Sequence, residues 1–167
     1  LNPVESPLYG PIFYGGGDAT FTSLPATTDN GGPSAFAALL GTRIEVLFET
    51  LSGPAGGALS FWDSYDGFFD ATEITFTVPV GTLSGTGRFA LSENDGSAGT
   101  DPYGHIHGRK FSANLPGLYV AGFRLVDSGK NGPAGDPLHA PSDLVLFNFQ
   151  AGISIADLAF LPEGVRI

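Results

Sequence analysis

The chain has 167 residues, with 7 basic and 17 acidic side chains for a formal charge of −10, and neither cysteine nor methionine. That balance excludes nucleic-acid binding through a basic footprint and electrostatic docking on anionic lipid, and the lack of cysteine excludes disulfides, thiolate zinc clusters and a cysteine nucleophile. With 42% hydrophobic residues, 14 phenylalanines, 25 glycines and 13 prolines, the chain reads as one folded domain of short strands and turns, not as a disordered one.

Residues 1–42 read as loop-rich. Pro3, Pro7, Pro11, Pro25 and Pro33, with Gly15-Gly16-Gly17 and Asn30-Gly31-Gly32, punctuate short apolar pieces, and the run Ala35 to Leu40 is the one predicted helical turn. From Arg43 the period becomes two: Ile44, Val46 and Phe48 alternate with Arg43, Glu45 and Glu49 as in a half-buried strand. After the turn Ser52 to Gly57 comes the apolar run Ala58 to Trp62, predicted to pair antiparallel with its predecessor. Glu73 to Val80 is the cleanest strand, followed by a short one at Arg88 to Leu91. His105 to Phe111, Leu118 to Val126, Asp143 to Phe149 and Ile153 to Phe160 complete the set. The prediction is an all-β fold of about seven or eight strands in an antiparallel β-sandwich or jelly-roll-like arrangement. Its main body spans 43–160 and it has almost no helix. The predicted core includes Ile44, Val46, Phe48, Ile74, Phe76, Val78, Phe123 and Phe147. No apolar run is as long as a membrane span, and a chain opening on Leu1 is expected to have been processed or trimmed.

The segment Asp101-Pro-Tyr-Gly-His-Ile-His-Gly-Arg109 carries the chemistry. On a strand, His105 and His107 share one face while Ile106 points back. Two imidazoles so placed suit one divalent ion such as zinc, copper, iron or nickel. His139, about 30 residues on, is the natural third donor, with a carboxylate or water as fourth; Asp101, Asp127, Asp136 and Asp143 are nearest in sequence. An aspartate beside proline or glycine more often serves a turn, and the plain alternative for the histidine pair is an exposed strand with no ligand. Two further aromatic readings have structural rivals. Phe61-Trp62 with Tyr65, Phe68 and Phe69 suggests sugar stacking, but core packing of a strand end is the stronger reading. Tyr119, beside Pro116-Gly117, is expected to plug a sandwich corner. Asp63, Asp66 and Asp70 suggest calcium without forming a complete oxygen-ligand loop. No nucleophile elbow or phosphate-cradling loop is present, and no convincing general base stands beside the histidines, so binding is favoured over catalysis.

The same segment, continued by Phe111, Pro116-Gly117-x-Tyr119, Gly122-Phe123-Arg124, Asp127, Asn131-Gly132, His139-x-Pro141-Ser142-Asp143 and Phe149-Gln150-Ala151-Gly152, resembles a family of bacterial surface proteins. These are the zinc-uptake-regulator-repressed proteins with a PEP-CTERM sorting tail; actinobacterial surface-anchored repeats are broader relatives. The stretch Val46 to Gly57, running on to Phe61-Trp62, is similar to the same family, so the resemblance covers residues 43–152. It implies an exported, extracytoplasmic protein of periplasm, cell surface or medium, made under zinc limitation. It further implies a histidine-based zinc site at His105, His107 and His139, with divalent metal and other envelope proteins as partners. The function expected is zinc capture or hand-over. The alternatives are a structural or adhesive surface protein stapled by a metal, and a jelly-roll metalloenzyme.

Overall fold

The computed structural model describes residues 1–6, 10–16, 20–23, 37–63, 71–106 and 109–153. Those residues form eleven strands, all paired antiparallel, in three sheets, and no α-helix. The five-stranded sheet runs β1 (Asn2–Ser6), β2 (Gly10–Gly16), β9 (Lys110–Ala113), β5 (Ala58–Trp62) and β6 (Phe76–Pro79). The four-stranded sheet runs β11 (Val145–Ala151), β10 (Gly117–Asp127), β4 (Ile44–Ser52) and β7 (Gly87–Ala90). A small third sheet pairs β3 (Phe21–Ser23) with β8 (Gly104–Ile106). The all-β sandwich is as expected.

The period-two reading of β4 holds: Ile44, Val46 and Phe48 are buried between half-buried Glu45, Leu47 and Glu49. The inward parity then switches to Leu51, because Thr50 pairs with Gly122 and Phe48 with Phe123, leaving Glu49 as a bulge. One extra residue moves the following side chains to the other face, so the bulge lets Leu51 join Ile44, Val46 and Phe48 in the core. Across the sandwich, Phe61 stacks on Phe89 at 4.2 Å between ring centroids, and Phe111 meets Phe149 at 4.8 Å. Phe21 of β3 fits against Phe89, Phe123 and Phe147 at 5.3–6.1 Å, so the β3–β8 pair closes one end of the core. Of the predicted core, Ile44, Val46, Phe48, Val78 and Phe123 are buried, and Phe76 and Phe147 pack on it half-buried. Ile74 is half-buried and outside that cluster, because the strand predicted from Glu73 begins only at Phe76, after a 3₁₀ turn at Ala71–Glu73.

Several sequence expectations are corrected. β4 and β5 are not neighbours: β4 pairs with β10 and β7, β5 with β6 and β9. The chain between them turns over the fully buried ring of Tyr119, which lies against Gly53 and Gly57, and Ala58 is caught by Asn114, just past the neighbouring strand β9 of its own sheet (N–H to Oδ1, 2.7 Å). Tyr119 does plug that corner, its hydroxyl donating to the Leu115 carbonyl at 2.8 Å. The single strand predicted for His105 to Phe111 is two: β8 pairs with β3, and β9 with β2 and β5. Of the helical turn expected over Ala35 to Leu40, residues 37–40 are not helical and lead into a tight turn at 39–42, while Ala35 and Phe36 fall outside the described residues; the loop-rich portion supplies β1, β2 and β3. Ile153 lies outside any strand, and 154–160 fall outside the described residues.

Candidate functional site

β8 is seated by its neighbours. Pro102 is fully buried, its carbonyl accepting the Ser92 hydroxyl at 2.8 Å, and Tyr103 takes the Glu93 N–H at 3.0 Å. At Gly104 the backbone runs so close to Leu91 that a Cβ would stand 1.6 Å from that carbonyl oxygen. Ile106 turns to the core and His105 to the surface, the alternation expected of the segment. His105 pairs with Thr22 across the small sheet, and its Nδ1 lies 2.7 Å from the Thr22 hydroxyl. When Nδ1 donates there, the lone pair resides on Nε2, the orientation that a hydrogen-bonded metal ligand uses. His107 lies outside the described residues.

His139 sits in the loop between β10 and β11, and that loop is fastened by Asp127. Asp127 is buried; its Oδ1 accepts the N–H groups of Arg43 (3.1 Å) and Gly129 (2.8 Å), its Oδ2 those of Leu138 (2.9 Å) and His139 (3.2 Å). Four charge-assisted bonds to backbone donors occupy the carboxylate. Asn131 adds bonds from Nδ2 to the carbonyls of Gly41 (2.6 Å) and Gly96 (2.8 Å). The imidazole Nε2 of His139 accepts the Leu39 N–H at 3.0 Å.

His139 and Thr22 both line a cavity of about 270 Å³ at this end of the sandwich, walled also by Ile44, Leu91, Leu125 and Ser142. His105, through Thr22, and His139 therefore belong to the same end of the molecule. Zinc requires about four donors, or three and a water. Among the described residues no three His, Asp or Glu side chains stand close enough to share an ion. The nearby aspartates behave as turn residues. Asp101 Oδ1 takes the Tyr103 N–H at 2.8 Å, Asp136 Oδ1 the Ala134 N–H at 3.3 Å, and Asp127 is bonded as described. Asp63, considered for calcium, pairs with Arg109 at 2.9 Å, and Asp66 and Asp70 fall outside the described residues. Trp62 is fully buried, on the sheet face opposite Phe61, with Nε1–H donating to Ser112 Oγ at 2.8 Å, so it offers no exposed platform to a sugar. Sequence reasoning missed Thr22 and the Leu39 amide; the first stands in a three-residue strand too short for a periodic signal, and the second is a backbone group.

Comparison with protein-family models, curated proteins and solved structures found no match.

Proposed function

We propose that this protein is a non-enzymatic, extracytoplasmic zinc-binding module of a bacterial envelope, acting in zinc capture or hand-over through His105, His107 and His139. The observation that supports the reading is that Thr22, the hydrogen-bond partner of His105, lines the same cavity as His139. The fastening of the His139 loop by Asp127 and Asn131 favours capture over stapling, since an arriving ion has little loop left to order. It also argues against hydrolysis, because the carboxylate nearest His139 in the hydrogen-bond network is already saturated by four N–H donors and is a poor general base.

Titration of purified protein with zinc, in competition with a chromophoric chelator, tests this. One ion per chain is expected, with tight binding lost on replacing His105, His107 or His139 by Ala. Stripping the ion should leave the circular dichroism spectrum unchanged and lower Tm only by the mass-action amount. No binding, or binding indifferent to all three substitutions, overturns the proposal. Unfolding on removal of the ion would turn it into the stapling alternative.

A further inference from the structure

The hydrogen bond between Leu39 and His139 fixes the electronic state of the ring. A backbone N–H can only donate, so Nε2 of His139 must hold the lone pair and Nδ1 the proton. Neutral imidazole has one in-plane lone pair, and a metal ion binds through it. The Leu39 amide and a zinc ion therefore compete for the same electrons on the same atom.

Both partners are held in place from the same frame. Leu39 opens a four-residue turn: its carbonyl accepts the Thr42 N–H at 3.2 Å and the Thr42 hydroxyl at 2.9 Å. Gly41 sits at φ +83° in the third position, as a type II turn demands. Its flanks are filled by Asn131 Nδ2 and the Gly99 backbone, and its N–H donates to the Thr100 carbonyl at 2.7 Å. Thr42 is fully buried, and the next residue, Arg43, gives its N–H to the same Asp127 that holds Leu138 and His139. The tip residues Leu39 and Leu40 are 51% and 47% exposed, so the Leu39 peptide can turn away while buried Gly41 and Thr42 stay seated.

We infer that the Leu39 amide is a cap on the donor nitrogen of His139, so that metal enters only when the exposed tip at Leu39 withdraws its N–H. The inference rests on the zinc reading above and supplies its regulation. Coupling of this kind is reciprocal: whatever pins the tip weakens metal binding, and bound metal loosens the tip.

The test uses ¹⁵N-labelled protein titrated with zinc chloride alone. Before zinc, the His139 ring should show the Nδ1–H tautomer. As zinc binds, the Leu39 amide resonance should move and its hydrogen exchange should accelerate. Leu39→Pro, which has no N–H to offer, should bind zinc about three- to tenfold more tightly, the net worth of one hydrogen bond. Thr42→Ala, which drops one hold on the Leu39 carbonyl, should shift affinity the same way by less. A His139 ring that takes zinc while the Leu39 amide keeps its shift and exchange rate overturns the cap alone, and so does a folded Leu39→Pro that binds no more tightly. Absence of zinc binding in every variant brings down both the cap and the zinc reading. Should Leu39→Pro fail to fold, the amide measurement on the unmodified protein decides.

Discussion

At the scale of single residues, polar side chains here mostly serve the backbone. Asp127, Asn131 and Asn114 each satisfy main-chain groups of a segment distant in sequence, the usual solution for loops that cross a buried end. Tyr119 is the case with a pH signature. Burial pushes its hydroxyl above the ordinary value of 10.0. A phenol whose folded pKa is raised contributes stability that is whole below the unfolded pKa and is lost as pH climbs through the folded one. The urea midpoint should therefore hold steady up to pH of about 10 and fall above it. Tyr119→Phe should remove that alkaline loss while costing about 1 kcal/mol at neutral pH, because the Leu115 carbonyl loses its donor. An alkaline limb unchanged in the variant would place its origin elsewhere.

Among the elements, β8 is the one whose seating governs the candidate site. Gly104→Ala would drive a methyl into the Leu91 carbonyl, so β8 must lift off the 91–92 backbone and carry His105 away from its place. A loss of about 2–3 kcal/mol is expected, with zinc affinity falling further than that of a variant equally destabilised elsewhere; denaturant melts and zinc titrations of both measure it. Long strands were legible in the sequence. β4 announces itself through alternation, and β10 through an unbroken apolar run, three consecutive residues of which, Ala121 to Phe123, are buried. β1 was hidden because Pro3 reads as punctuation, yet an edge strand tolerates proline where a central one does not. The sheet assignment of β5 could not be read locally, because it depends on the Tyr119 ring under the preceding turn. For the site, residue type and spacing singled out His105, His107 and His139; the first lies on β8, the last in the β10–β11 loop, and His107 falls outside the described residues. The cap on His139 was not legible, since a backbone amide leaves no trace in a side-chain pattern.

At the scale of the molecule, the order of strands differs sharply from the order of the chain. The centre of the five-stranded sheet is β9, and β10 is the inner strand that joins β4 to β11, so both sheets wait for residues 110–127. Earlier strands can form only fragments such as β1–β2, β5–β6 and β4–β7, the last two with buried core residues still uncovered. A version ending at residue 116 should accordingly show no cooperative thermal transition and little strand signal by circular dichroism; a folded fragment would contradict this. Closing such distant pairings is slow compared with local ones. During synthesis, therefore, the growing polypeptide remains an open and protease-sensitive polymer until β10 emerges from the ribosome. Any machinery that threads unfolded chains through a narrow channel would have that interval in which to engage it, before the sandwich locks.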